Sequence, residues 1–322
     1  MRRWAVVLCG LVLAIGAGWY GLRWEFYEAG QRSGPVTVVI KRGQGQLAIA
    51  SDLAQAELIL SVQRFVFEAR LFGDKRPWRA GEYLFDAALS AADILRQMQD
   101  GRTVIRHLTI PEGLTVAQTF ALISAAPALD GPLPDPPAEG SLLPETYNYS
   151  YGDARADLIH RMQKAMNAAL EEAWTNRAPN LPLSSAHELL VLASIVEKET
   201  AIEAERPRVA AVYLNRLRQG MRLQADPTVA YGVTGDGTML GRALTKADLQ
   251  HPTPYNTYTQ TGLPPGPIDD PGKASLMATA SPAETDELYF VANGQGGHVF
   301  ARTLAEHNKN VDAWRQIQKD RQ

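Results

Sequence analysis

Two glutamates one residue apart, Glu197 and Glu199, end a strongly apolar stretch of the chain. Leu189, Leu190, Leu192, Ala193 and Val196 recur there at helical spacing, which predicts a helix over Ser185 to about Thr200. Ser185 with Glu188 predicts a capping box at its start. With 3.6 residues per turn, the two carboxylates lie roughly 200° apart, one on each flank of the apolar stripe. A carboxyl set against hydrophobic groups loses hydration of its charged form. Its pKa then rises, toward ~6 in known cases, which suits a general acid. The wheel does not choose between Glu197 and Glu199, and a pair of solvated charges beside Lys198 fits the same pattern.

Downstream, polar and aromatic residues crowd into turn-like segments. These are Leu223-Gln224-Ala225-Asp226-Pro227-Thr228, Pro254-Tyr255-Asn256-Thr257-Tyr258 and Thr261-Gly262-Leu263-Pro264-Pro265-Gly266. Rings that stack on the apolar faces of sugars, next to amides and carboxylates that bond hydroxyls, make a carbohydrate cleft. Other chemistries lack their residues. The six histidines, His107, His160, His187, His251, His298 and His307, show no metal-ligand spacing, so ordinary packing or surface roles are expected of them and no metal is. There is no Gly-x-Ser-x-Gly elbow. Gly43-Gln44-Gly45-Gln46 resembles a dinucleotide fingerprint, but Lys41 and Arg42 interrupt the junction and no βαβ series follows; it reads as a turn. The single cysteine, Cys9, excludes an internal disulfide framework. With 32 Lys+Arg against 35 Asp+Glu, no nucleic-acid partner is expected.

The elements that must position these residues follow from periodicity. Hydrophobic residues make up 45% of the 322, a globular proportion. Trp4 to Leu22 is free of charge, follows Arg2-Arg3 and ends beside Trp19, Tyr20 and Trp24. As a helix it would be roughly 28 Å long, close to the bilayer core, with the N-terminus held in the cytoplasm. A cleaved signal or lipoprotein signal is the rival reading. A signal h-region is shorter, and Cys9 comes too early for lipid modification, so an uncleaved anchor is expected. A strand at Pro35 to Ile40, helices ending near Ala56 and over Ser61 to Phe72, a strand after Gly81, a helix from Ser90 to Gly101 and a strand over Val104 to Ile110 make a small α+β module. A helix over Thr115 to Ser124 follows. Five prolines between Pro127 and Pro137 mark an irregular connector, taken as 127–140. Helices are expected at Asp157 to Trp174, Ser185 to Thr200 and Arg206 to Gln219. Loops follow Gly220, with a closing β-hairpin at Leu288 to Ala292 and His298 to Phe300. The fold class is α+β, with a membrane segment at 1–24, a small domain at 25–110 and a larger, mostly helical domain at 111–322.

Several segments together are similar to the YceG-like (MltG) family of endolytic murein transglycosylases. They are Ala193-Ser194-Ile195-Val196-Glu197-Lys198-Glu199-Thr200, Asn215-Arg216-Leu217, Met221 to Thr228, Tyr255-Asn256-Thr257-Tyr258, Gly262-Leu263-Pro264-Pro265-Gly266 and Gly296-Gly297-His298. The module from Val36 to Ile110 resembles that family's LysM-like domain, and Trp4 to Leu22 its membrane helix. The resemblance implies cleavage of the β-1,4 bond between MurNAc and GlcNAc in nascent glycan strands without water, leaving 1,6-anhydroMurNAc ends and terminating elongation. It assigns the acid to Glu199 and places Gln224, Asp226, Tyr255, Asn256, Tyr258 and Glu197 around the substrate. No cofactor is implied. The implied partners are peptidoglycan strands, the inner membrane and peptidoglycan synthases, with the catalytic body in the periplasm. The alternative is a non-catalytic peptidoglycan-binding or divisome scaffold, which should have lost Glu199 or the Tyr255-Asn256 loop.

Overall fold

The computed structural model describes residues 2–30, 32–235 and 240–320; the outermost expected domain ends, Met1 and Gln322, lie outside them. The chain divides into two units. One holds Met1–Arg106, Ala128–Asp130 and Asn148–Asp153, and the other holds His107–Pro127, Gly131–Tyr147 and Ala154–Gln322. About half the chain is helical and its sheets are small.

In the first unit, α1 (Arg2–Tyr27) extends beyond the charge-free run because Phe26 turns inward and is buried in the unit's core. β1 (Val36–Ile40) pairs antiparallel with β2 (Gly81–Phe85), Val38 opposite Tyr83. Val38, Ile40, Tyr83 and Phe85 share the buried face. They meet Ile49 and Leu53 of α2 (Gln46–Gln55), Phe65 and Val66 of α3 (Val62–Phe72), and Ile94, Leu95 and Met98 of α4 (Ala91–Asp100). Each such side chain contributes on the order of 2 kcal/mol by leaving water. Ser90 caps α4 by accepting from the Asp93 amide at 3.1 Å, and Gly101 ends it at φ 71°. Gly43, at φ 81°, makes the turn expected of that segment. α3 runs antiparallel to the end of α1: Arg64 pairs with Glu25, while Phe72 meets Trp19 edge-on at 4.9 Å and lies 6.0 Å from Phe26.

The second unit is built around α7 (Ala186–Glu199). Every residue from Leu189 to Val196 is buried, so the expected one-sided stripe is instead a helix wrapped on all sides. α6 (Arg155–Thr175), α8 (Arg206–Arg218) and α11 (Lys273–Ala280) pack against it. Its N-terminus differs from the expected capping box. Ser185 accepts from the Glu188 amide, but the Glu188 carboxylate turns outward to the amide and hydroxyl of Ser184, at 2.7 and 2.8 Å. α5 (Val116–Ala125) has a complete box between Thr115 and Gln118.

Three helices occupy the stretch expected to be loops. α9 (Asp226–Thr234) starts on Asp226-Pro227, where proline's fixed φ favours a first helical turn. Thr245 and Asp248 form the capping box of α10 (Lys246–Gln250). α11 is hard to recognise because its small residues are buried on most sides, Ser275, Leu276, Ala278, Thr279 and Ala280 among them. A short strand pair, β3 (Arg106–Thr109) and β4 (Thr146–Tyr149), completes the first half of the chain. The hairpin forms as β5 (Tyr289–Ala292) and β6 (His298–Ala301), Phe290 opposite Phe300. It does not close the chain, because α12 (Leu304–Asp320) follows it.

Candidate active site

Glu199 is the last residue of α7, where the helix dipole already disfavours a negative charge. Burial raises its carboxyl to about 7. The Tyr213 hydroxyl, from α8, donates to Oε1 at 2.6 Å and opposes that rise by stabilising the carboxylate. The charge of Asp226 pushes the same way as burial, while His298 and Arg216 pull the other way. A group balanced near neutrality can both give and take a proton in one cycle.

Asp226 opens α9 and is exposed; the Tyr258 hydroxyl donates to its Oδ1 at 2.6 Å. Burial and the neighbouring Asp226 and Glu199 charges keep the Tyr258 phenol protonated. Gln224 is exposed on a left-handed backbone, φ 53°, an uncommon conformation for a residue with a Cβ. Its amide bonds the Thr257 carbonyl at 3.1 Å, and the Thr257 hydroxyl accepts from the Ala225 amide at 2.9 Å. The segments around Gln224–Asp226 and Tyr255–Tyr258 are thereby stitched together. Glu199, Asp226 and Tyr258 share one electrostatic neighbourhood, and Gln224 flanks it.

The remaining expected contacts are placed differently. Asn256 is fully buried. Its amide donates to the carbonyls of Leu249 and His251 at 3.1 and 2.7 Å, and its Oδ1 accepts from the Tyr258 amide at 2.8 Å. That is the work of a loop brace. Tyr255 lies against Tyr231, ring centroids 4.8 Å apart, and Tyr231 donates to Glu139 at 3.3 Å. The Glu197 side chain is only 6% exposed. Its Oε1 accepts from Arg206 at 3.3 Å and its Oε2 from the Gly272 amide at 2.9 Å. Arg206 reaches Glu112 as well, at 3.3 Å. Glu197 therefore joins α7 to the start of α8 and the turn before α11.

Sequence reasoning missed Tyr213, Arg216 and the partner of His298. Tyr213 reads as part of the apolar face of α8, and the structure does bury it; only its hydroxyl reaches the site. Arg216 is buried and donates to the carbonyls of Leu288 and Leu223, at 2.7 and 2.6 Å, so it fixes the hairpin to the loop before α9. Both lie at the spacing of one helix face, Tyr213 and Arg216, which is the signal that could have found them. His298, expected in an ordinary role, sits with its Nδ1 2.8 Å from Glu205 Oε2, while its amide donates to Glu205 Oε1 at 2.9 Å. Gly297 allows this approach: a Cβ there would lie 2.6 Å from Glu205 Oε1.

A second set of acids is buried on the Glu197 and Glu139 side. Asp269 has no exposed surface and its carboxyl oxygens have no hydrogen-bond partner among the described residues. Burial pushes it well up, and pushes Asp270 to about 8. Asp270 accepts from the Leu142 amide at 2.9 Å. Among the described residues no group of three or more His, Cys, Asp or Glu side chains is arranged to hold a metal ion.

The model of the YceG-like family matches residues 38–313. An endolytic murein transglycosylase of Bacillus subtilis (strain 168) is 33% identical over 306 residues, which cover 85% of this chain and 83% of that protein. One from Streptococcus pneumoniae serotype 2 is 32% identical over 322 residues, covering 86% of this chain and 58% of the longer relative. The crystal structure of a yceG-like protein from Listeria monocytogenes superposes with a TM-score of 0.53 at 32% identity, covering 86% of this chain and 99% of that one.

Proposed function

Because the chain belongs to the YceG-like family, we infer that it is a lytic transglycosylase, a lyase acting on the glycan strands of peptidoglycan. For the bond chemistry we propose cleavage between MurNAc and GlcNAc with Glu199 as the acid. The observation that carries this reading is a carboxyl raised to about 7 by burial while Tyr213 holds one of its oxygens at 2.6 Å. Tyr213 claims Oε1, so the transferable proton resides on Oε2. That proton goes to the glycosidic oxygen as the C1–O bond breaks and C1 becomes oxocarbenium-like. The resulting carboxylate takes the proton of the MurNAc C6 hydroxyl, whose oxygen closes the 1,6-anhydro ring on C1. Glu199 ends the cycle protonated, and no water is consumed. The second carboxylate that a hydrolase uses to activate water or to form a glycosyl-enzyme is not required when the substrate carries its own nucleophile.

Asp226, Tyr258 and Gln224 are proposed to contact the sugar, Asp226 also holding Glu199 in its protonated form. Tyr255, whose ring lies against Tyr231, is proposed to contact the sugar as well. Asn256 and Glu197 are proposed as positioning residues, because their polar atoms are engaged internally. The body is proposed to stand in the periplasm on α1 as an inner-membrane anchor, with a LysM-like module at 25–110, a catalytic domain at 111–322, and peptidoglycan synthases as partners. The apolar window Val6–Tyr27 supports the anchor.

Two glutamine variants test the assignment on uncrosslinked glycan strands. Glu199→Gln keeps shape and removes the proton, so release of anhydro-ended products should fall at least ~10²-fold. Glu197→Gln should keep most of kcat and lower thermal stability, since it weakens acceptors of the buried Arg206. Mass spectrometry separates the chemistries, because an anhydro end is one water lighter than a reducing end. A dead Glu197 variant beside an active Glu199 variant would exchange the roles.

A further inference from the structure

The end of α3 lies at an informative level along α1. The Phe72 ring sits between Trp19 and Phe26, and so is level with Leu22, where the charge-free run of α1 stops. The Arg64–Glu25 pair sets α3 antiparallel, with its N-terminus pointing away from the apolar run and its C-terminus toward it. At 1.5 Å per residue, Leu60 is then roughly 15 Å or more further out than Phe72. Near that inner end two large apolar side chains one turn apart face outward: Phe67, 54% exposed, and Leu71, 38% exposed. Trp24 and Tyr27 of α1 are exposed at about the same level.

Four exposed cations lie in the same stretch of chain, Arg70, Lys75, Arg76 and Arg79. The carboxylates paired with this stretch are Glu68, which is buried and holds Arg64, Asp74, which holds Arg76, and Asp100 of α4, which is shared by Arg76 and Arg102. In water this combination leaves apolar area exposed and positive charge in excess. At a membrane surface both are satisfied, the rings and aliphatic groups at the headgroup boundary and the cations by lipid phosphates.

We propose that residues Phe67 to Arg79 form a surface that rests on an anionic phospholipid bilayer beside α1. The inference depends on α1 spanning the membrane. It assigns the first unit a second, peripheral contact that fixes its tilt, where a single helix alone would leave it free to swing.

The test uses the full chain with Cys9→Ser, carrying single cysteines labelled with bimane at Leu71→Cys, Leu60→Cys or Leu22→Cys. Each is reconstituted into vesicles of phosphatidylethanolamine and phosphatidylglycerol that contain a headgroup-nitroxide lipid. Quenching at position 71 should exceed that at position 60 by at least threefold, and position 22 should also be quenched. Phe67→Cys repeats the measurement one turn away should the Leu71 variant misfold. Quenching at 22 with equal values at 71 and 60 overturns the inference and leaves the anchor standing. No quenching at 22 overturns both. Exchanging phosphatidylglycerol for phosphatidylcholine should at least halve the signal at 71; an unchanged signal overturns the choice of an anionic lipid.

Discussion

The protonation of Glu199 is set by a contest between burial and one hydrogen bond. Tyr213 stabilises the charged form, so Tyr213→Phe should raise the Glu199 pKa above its present value of about 7. As the proposed acid, Glu199 must carry its proton to act, so activity should fall as pH rises through that pKa. The descending limb of the kcat profile should therefore move upward by about one pH unit in the variant, while kcat at the plateau falls. Asp226, His298, Arg216 and Tyr258 face the same neighbourhood and are unchanged by the substitution. A limb that stays in place would show that Tyr213 serves packing alone. The two glutamates illustrate what a sequence can carry at this scale. Their spacing announces two different environments, but α7 is buried all round, so the wheel has no solvent side against which to rank them. The ranking comes from Tyr213 on one hand and Arg206 with Gly272 on the other, residues 14, 9 and 75 positions away.

Elements that joined a local start or stop signal to a periodic apolar face were legible, and those that lacked one of the two were not. α4 lies between Ser90 and Gly101 as its cap and stop require, and α8 ends where its periodic face ends. α11 depends on burial by neighbours and shows no one-sided pattern, while α9 and α10 start on local signals but are too short to carry a repeated apolar face. Glycines mark where elements are joined. Gly140 has φ 77°, and a Cβ there would approach Pro267 to 2.7 Å. Gly140→Ala thus combines a left-handed backbone with a collision against a rigid ring. It should cost about 2 kcal/mol and lower the melting temperature by several degrees, with kcat per folded molecule little changed. Thermal melting next to an active-site titration checks both halves, and a melting temperature within one degree of wild type refutes the argument.

Over the whole molecule, stability should vary with pH through the buried acids. Asp270 titrates near 3.9 when unfolded and at about 8 when folded. Between those values the native protein holds a proton that the unfolded chain has lost, so raising the pH favours unfolding. Its contribution is full below pH ~4 and is lost as pH rises to about 8. Burial shifts Asp269 and Glu139 in the same direction. Asp270→Asn retains an acceptor for the Leu142 amide and removes the titration. Melting temperatures at pH 5 and pH 8 should differ less in this variant than in wild type, and the variant should be the more stable of the two at pH 8. The proposed anchor makes its own prediction: a reporter active only outside the cytoplasm, fused after Gln322, should be active, and one active only inside should be silent.

The first unit has a further property at this scale. It takes in Ala128–Asp130 and Asn148–Asp153, where the Gly152 amide bonds the Ala128 carbonyl at 2.8 Å and the Asp130 amide bonds the Asp153 carbonyl at 2.9 Å. When a ribosome has made Arg106, that unit still lacks these strips, and at ~5–20 residues per second several seconds pass before Asp153 appears. The buried core of that unit runs from Phe26 to Met98, so it is complete before these strips exist, and they can only be added to a unit whose interior has already been made.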